Sequence, residues 1–143
     1  MPMTLRSLLL SALAVNAGTA LAHDFSANPA PTVVYVKQAD CRFCARLESE
    51  VLSPLKASGL FDGVVDFAEV SLDLGETVTD HQGNLISGQD FAGRYGAYGT
   101  PTLVFLNAAG EAQDEPWYGV PDALDFYGAK IEGAVAGLQN PKR

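Results

Sequence analysis

Basic side chains are scarce in this chain of 143 residues. Nine lysines and arginines stand against 17 aspartates and glutamates, which gives a formal net charge of −8 at pH 7. No Lys/Arg-rich run occurs anywhere in the sequence. Proteins that bind nucleic acid or anionic membranes concentrate positive charge on one surface, so both are poor candidate partners.

Charged residues of either sign and long apolar runs are also few. Charged residues make up 18% of the chain and hydrophobic residues 48%. This composition is too apolar for a disordered chain and too often interrupted by polar residues for a membrane protein with several spans. Domains usually contain roughly 100 to 200 residues, so the length predicts one compact domain.

The first 22 residues contain the longest uncharged stretch. Arg6 is the one charged residue there, and the apolar core that follows it is too short to span a bilayer. Ala20-Leu21-Ala22 has the small-x-small pattern of a cleavage site. We therefore predict a signal peptide over residues 1–22, export to the periplasm, and a mature chain that begins at His23. An uncleaved anchor helix is the alternative.

Residues 32–138 have the pattern of one α/β domain. β-branched and aromatic runs alternate with helical periodicities in the order β-α-β-α-β-β-α, with a small hairpin inserted after the second strand. Residues 23–31 form an N-terminal extension that is too short and polar to supply a further strand and helix, and residues 139–143 form a tail. Strands are predicted at 31–37, 64–72, 102–107 and 115–118, the hairpin at 77–86, and helices after residue 41, at 87–95 and from 121.

Both cysteines lie in Cys41-Arg42-Phe43-Cys44, directly after the first strand. As a structural crosslink, a disulfide between these cysteines would stabilise the fold only weakly, because closing so short a loop contributes on the order of 2 kcal/mol to the free energy of unfolding. A structural zinc site needs about four Cys or His ligands, and neither His23 nor His81 has a suitable spacing to the cysteines. In exported proteins thiols are usually paired or reactive, so the motif indicates a redox-active dithiol.

The residues after the motif repeat at helical spacing. We expect Asp40 to cap this helix, and Ser53-Pro54 to restart it after a kink. Cys41 then lies at the first turn, where free backbone N–H groups stabilise a thiolate, and Cys44 lies on the buried side. The apolar stripe consists of Cys44, Leu47, Val51 and Leu55.

This order of elements, with the cysteine pair between a strand and a helix, resembles the thioredoxin fold, a three-layer α/β architecture. Gly99-Thr100-Pro101-Thr102 is similar to the cis-proline loop of that family, and Gly119 follows the last strand where the family commonly has glycine. Together with the segments 50–54 and 78–83, these motifs are most similar to the small periplasmic thioredoxin-like proteins of the SoxW type. The resemblance covers residues 32–138.

The resemblance implies a thiol-disulfide oxidoreductase that works without a prosthetic group. Cys41 would attack a substrate disulfide, and Cys44 would resolve the mixed disulfide. A cis bond at Thr100-Pro101 would present a backbone edge to an extended substrate, and a plain trans turn is the alternative. Phe43 is either an exposed contact for substrate or a ring folded against the loop.

Among the departures from the family pattern, two concern the residues that handle protons. Tyr35 stands where thioredoxins place a buried aspartate, and Glu69 stands where they tend to have a lysine. Because Glu69 lies in an otherwise apolar strand, we expect a raised pKa and a role in accepting the proton of Cys44. The alternative is a glutamate that reaches water at the end of the strand.

The direction of electron transfer depends on charges near Cys41. Lys37 and Arg42 would stabilise its thiolate and Asp40 would destabilise it. The SoxW-type resemblance implies a reductant supplied with electrons across the membrane, so we predict a monomeric reductase of periplasmic protein disulfides. One alternative is a carrier of Cu(I), an ion that thiolates suit, although no Met or His cluster accompanies Cys41. Another is a redox-inert assembly factor.

Overall fold

The computed structural model describes residues 22–140. The strands are β1 (Thr32–Lys37), β2 (Asp66–Ser71), β3 (Thr77–Thr79), β4 (Leu85–Ser87), β5 (Thr102–Leu106) and β6 (Trp117–Tyr118). The main sheet has four strands in the order β2-β1-β5-β6, in which β1 runs parallel to β2 and antiparallel to β5. Strand β6 pairs antiparallel with β5 at the edge, and β3 and β4 form a separate hairpin.

The helical segment after the cysteine motif has three parts. Helix α1 (Arg42–Leu47) passes into a π-helical stretch (Glu48–Leu52) and then into α2 (Ser53–Ala57). The N–H of Ser53 donates to the carbonyl of Glu48, five residues back. Pro54 has no N–H to continue an α-helical ladder, which accounts for the irregular turns before it. The other helices are α3 (Gly88–Gly93), a 3₁₀ turn (Leu124–Phe126) and α4 (Tyr127–Gln139).

Each face of the main sheet is covered by its own apolar cluster. On one face α1, the π-helical stretch and α4 pack against side chains such as Tyr35 and Phe105. On the other face α3 and the hairpin cover side chains such as Val34 and Val104. These are the three layers expected from the sequence, and the predicted fold class is confirmed.

The N-terminal extension joins the second cluster. Phe25 is only 4% exposed, and its ring stacks on Phe91 with a centroid distance of 4.3 Å. Backbone hydrogen bonds of 2.9 Å link Phe25 N–H to Thr79 O and Thr79 N–H to His23 O. The extension supplies no full strand, but it adds one β-bridge to the edge of β3 and covers the core there.

A buried carboxylate organises the hairpin turn. The side chain of Asp80 is 1% exposed, and its oxygens accept hydrogen bonds from the backbone N–H groups of Gln82 and Asn84. Arg94 of the segment after α3 donates to the same carboxylate at 2.9 Å. These contacts fix the turn against α3.

No helix within residues 22–140 is both long and apolar enough to cross a membrane. The predicted signal peptide lies outside the described residues apart from Ala22.

Candidate redox site

The two cysteines are joined by a disulfide at the start of α1, with a Cα–Cα distance of 5.2 Å. Cys44 is 3% exposed and belongs to the apolar cluster beneath α1, whereas Cys41 is partly exposed at its edge. The first turn of the helix places the two sulfurs at different depths. Of the two residues, Cys41 is the more exposed.

Cys41 itself caps the helix. Its backbone is extended, with φ −146° and ψ 97°, and its Sγ accepts a hydrogen bond from the N–H of Cys44 at 3.1 Å. The expected cap by Asp40 is therefore wrong. The cap position brings a backbone N–H group to the sulfur that would carry negative charge as a thiolate, and such a bond stabilises that form.

The loop before β5 lies against Cys41. The Thr100–Pro101 peptide bond is cis, and Pro101 is buried. The hydroxyl of Thr100 lies 3.5 Å from Cys41 Sγ and 3.1 Å from Gln38 Oε1. On its other side, the carbonyl of Pro101 accepts a hydrogen bond from the N–H of Gly119 at 2.8 Å. The structure thus brings Cys41, Thr100 and Pro101 together.

Phe43 is exposed between the two cysteines. Its side chain is 48% exposed, and the guanidinium of Arg42 lies over its ring at 4.9 Å from the centroid. The ring is therefore available as an apolar surface beside the disulfide, with the charge of Arg42 on one of its faces.

Glu69 does not have the environment expected from the sequence. It pairs with Tyr35 in the register of β2 and β1, but its carboxylate is half-exposed, 3.0 Å from Lys37 Nζ and 3.6 Å from Lys56 Nζ. Burial alone would raise the pKa of Glu69, but the hydrogen bond and charge of Lys37 and the charge of Lys56 outweigh it and lower the pKa. The expectation of a raised pKa is wrong. Nothing in this geometry favours Glu69 as the acceptor of the Cys44 proton.

Lys37 belongs to the same group of ion-paired side chains, which also contains Glu48, Glu69 and Lys56. Its ammonium lies 3.1 Å from Glu48 and 3.0 Å from Glu69. Burial alone would lower its pKa, but these two carboxylates raise it overall. Lys37 therefore offers little uncompensated positive charge to a thiolate at Cys41.

Tyr35 lies beneath these ion-paired side chains, with Lys37 Nζ over its ring. Its hydroxyl is buried and has no hydrogen-bond partner among residues 22–140. Burial, together with the neighbouring charge of Glu48, raises the pKa of this hydroxyl. Tyr35 is therefore neutral at physiological pH.

Two polar contacts near Cys41 were missed by sequence reasoning. Gln38 contacts Thr100, and the carboxylate of Asp73 accepts a hydrogen bond from Ala39 N–H at 2.8 Å. The register of two parallel strands could have revealed Asp73, because Asp73 and Ala39 each lie two residues beyond the paired ends of β2 and β1. No sequence signal marks Gln38.

The part of the chain that the structure describes contains no group of three or more His, Cys, Asp or Glu side chains arranged to hold a metal ion.

The fold and the Cys41–Cys44 pair define a thioredoxin-fold protein with a Cys-x-x-Cys site. A model of the thioredoxin-like domain family matches residues 21–127, and the chain belongs to that family. The family also includes members that are not enzymes.

Comparison with solved structures gives the same fold. An oxidoreductase named DsbH is 23% identical, with 75% of this chain and 73% of that chain covered and a TM-score of 0.55. A thioredoxin-fold protein from Helicobacter pylori is 16% identical, with coverages of 83% and 90% and a TM-score of 0.53. No curated protein sequence matches the chain. Both structures are less than 25% identical to this chain, so the likeness shows the fold alone.

Proposed function

We propose that this protein is an exported thiol-disulfide oxidoreductase that reduces disulfides of periplasmic proteins. The observation that carries the proposal is the position of Cys41. Cys41 is partly exposed, and its sulfur accepts an N–H bond at the start of a helix and lies beside the Thr100–Pro101 loop. Disulfide exchange requires an accessible thiolate with a second thiol close by, and Cys44 supplies the second thiol.

The reaction proceeds in two exchanges. In the reduced protein, the thiolate of Cys41 attacks one sulfur of the substrate disulfide, forms a mixed disulfide and releases the other substrate sulfur as a thiolate. The thiol of Cys44 then loses its proton to solvent and, as a thiolate, attacks Cys41 Sγ, which restores the Cys41–Cys44 disulfide and releases the second substrate sulfur. Two electrons pass to the substrate, whose two thiolates take up protons from solvent. A membrane-bound donor returns two electrons to the protein.

Substrate contacts are assigned to three residues around Cys41. The exposed ring of Phe43 offers apolar contact, and the backbone at Thr100 and Pro101 can hydrogen-bond an extended substrate as an added strand. The protein acts as a monomer and needs no prosthetic group in this scheme.

One charge near Cys41, that of Lys37, supports the reductase direction, whereas the N–H of Cys44 and the charge of Arg42 favour the thiolate and act against it. A disulfide is strongly oxidising when its reduced form is stabilised, and Lys37, which could have stabilised a thiolate, is paired with two carboxylates. We therefore expect a reduction potential closer to about −270 mV than to about −120 mV. Equilibration with a glutathione redox buffer measures it. A value above about −160 mV would make the protein a thiol oxidase and contradict the proposal.

Export and redox activity are tested separately. Protein recovered from the periplasm should have the intact mass of a chain that starts at His23, and retention of Met1 in a membrane fraction would contradict export as a free protein. Reduced protein should cleave disulfides of a model protein substrate, and Cys41→Ala should abolish this. If Cys41→Ala complements a deletion strain fully, the protein is a redox-inert factor. If reduced protein retains stoichiometric copper after desalting, it is a carrier.

A further inference from the structure

The hydroxyl of Thr100 lies between two possible acceptors. Gln38 Oε1 is 3.1 Å away and Cys41 Sγ is 3.5 Å away. A hydroxyl carries one proton and can donate one full hydrogen bond at a time. The two acceptors therefore compete for the same proton.

The outcome of this competition depends on the redox state of Cys41. A disulfide sulfur is uncharged and a weak acceptor, so in the oxidised protein the proton points to the nearer amide oxygen of Gln38. A thiolate carries a full charge, and hydrogen bonds to charged groups are roughly twice as strong as those between neutral groups. Reduction of the disulfide therefore moves the proton of Thr100 from Gln38 to Cys41.

Gln38 can adapt to this change because its carboxamide holds both an acceptor and a donor. The side chain is partly exposed and lines a cleft of about 280 Å³, which leaves room to rotate the terminal amide. After rotation its Nε2–H group can donate to the Oγ1 of Thr100, whose own proton is then directed at the sulfur. A hydroxyl that accepts a hydrogen bond becomes a stronger donor. The cleft is lined by Gln38, Leu72, Gln89, Ala97 and Tyr98.

We propose that Gln38 is a positioning residue that stabilises the Cys41 thiolate through the hydroxyl of Thr100, accepting its proton in the oxidised protein and donating to it in the reduced protein. This inference rests on the proposed function, since it concerns the same dithiol. The thiolate would then receive two donors, the N–H of Cys44 and the O–H of Thr100. Gln38 sets how strongly the second donor acts.

The test is the pKa of Cys41, measured from the ultraviolet absorbance of the thiolate in reduced protein as pH is raised. Gln38→Leu should raise this pKa by about one unit, a tenfold change in acidity. The same tenfold change corresponds to a reduction potential about 30 mV more negative. Gln38→Glu should raise the pKa further, because a carboxylate only accepts and would hold the proton of Thr100 away from the sulfur.

A double-mutant cycle separates this path from a through-space effect. In the Thr100→Val background, Gln38→Leu should leave the pKa of Cys41 unchanged. Gln89→Leu is the matched control, because Gln89 lines the same cleft but donates to the carbonyl of Leu72, and it should not shift the pKa in either background.

Three results would overturn the inference: no shift with Gln38→Leu, a lowered pKa, or equal shifts with and without the Thr100 hydroxyl. None of these measurements requires a substrate. If the variants show the predicted pKa shifts but the protein reduces no protein disulfide, the proposed function is contradicted and the role of Gln38 is supported. If the protein reduces disulfides but the pKa shifts are absent, the proposed function is supported and the role of Gln38 is contradicted.

Discussion

The carboxylate of Asp73 accepts a hydrogen bond from the backbone N–H of Ala39 at 2.8 Å. Ser71 Oγ donates to the same carboxylate oxygen at 3.0 Å. This contact ties the loop that follows β2 to the loop that carries Cys41. The loop that holds Cys41 is therefore tied to a side chain that lies 32 residues further along the chain.

Replacing Asp73 should loosen the loop before Cys41. Asp73→Ala leaves Ala39 N–H without its acceptor and should lower the free energy of unfolding by about 1 kcal/mol. It should also increase the rate at which reduced Cys41 reacts with iodoacetamide, because the loop samples more positions. Asp73→Asn keeps an acceptor oxygen and should lie close to wild type in both measurements. Equal effects of the two variants would show that the Ala39 contact does not hold the loop.

Removing the charge of Glu69 should leave the chemistry unchanged. The pH dependence of disulfide exchange by Glu69→Gln should match wild type, because the carboxylate is half-exposed and ion-paired. The loss of stability at pH 7 should stay below about 1 kcal/mol, since exposed ion pairs are screened by solvent. The lowered pKa of Glu69 means that this small contribution is lost as the pH falls through the acid range. A shift in the pH dependence of disulfide exchange by Glu69→Gln would support a role of Glu69 in proton transfer.

Asp80 should contribute to stability in a pH-dependent way. The hydrogen bond from Asn84 N–H, with those from Arg94 and Gln82, outweighs burial and lowers the pKa of Asp80 from 3.8 to about 2. A lowered folded-state pKa stabilises the protein above the unfolded value, and this stabilisation is lost as the pH falls from about 4 toward 2. Asp80→Asn should therefore lower the midpoint of urea unfolding at pH 7. Below pH 4 this midpoint should decrease less in the variant than in the wild type. An unchanged midpoint at pH 7 would contradict this account.

The N-terminal extension should be essential to the second apolar cluster. Phe25→Ala removes a ring that is 4% exposed and should cost about 3 to 5 kcal/mol of unfolding free energy, measured by urea denaturation. Phe126→Ala is the matched control, because that ring is 76% exposed and its loss should have little effect. Equal losses for the two variants would mean that residues 23–31 do not pack on the domain in solution.

Much of the fold could be predicted because it depends on local periodicity. Short sequence patterns predict a buried strand at 31–37, the stripe from Cys44 to Val51 and the capping residue Ser87. The structure has the stripe and the cap, and its strand begins one residue later, at Thr32. The prediction that Asp40 caps α1 was wrong for a local reason. Asp40 has the residue type that usually caps a helix, but the sulfur of Cys41 takes this role.

The remaining features depend on contacts between distant segments. The carboxylate of Glu69 is neutralised by Lys37 from the neighbouring strand and Lys56 from a helix, and no local pattern reveals this pairing. Phe25 is a single apolar residue in a polar segment, so its burial cannot be inferred from periodicity. The roles of Cys41, Cys44, Phe43, Thr100 and Pro101 in catalysis and substrate binding stay predictions.

The most direct test of the proposed function is to trap mixed disulfides in the periplasm. Cys44→Ser removes the resolving thiol, so Cys41 should accumulate covalent complexes with its natural protein partners, visible on non-reducing gels and released by dithiothreitol. Cys41→Ser should accumulate almost none, because Cys44 is buried. Sequencing of the trapped proteins would identify the substrates. Complexes that form with Cys41→Ser and not with Cys44→Ser would contradict the assignment of Cys41 as the attacking sulfur, and their absence from both variants would contradict disulfide exchange as the function.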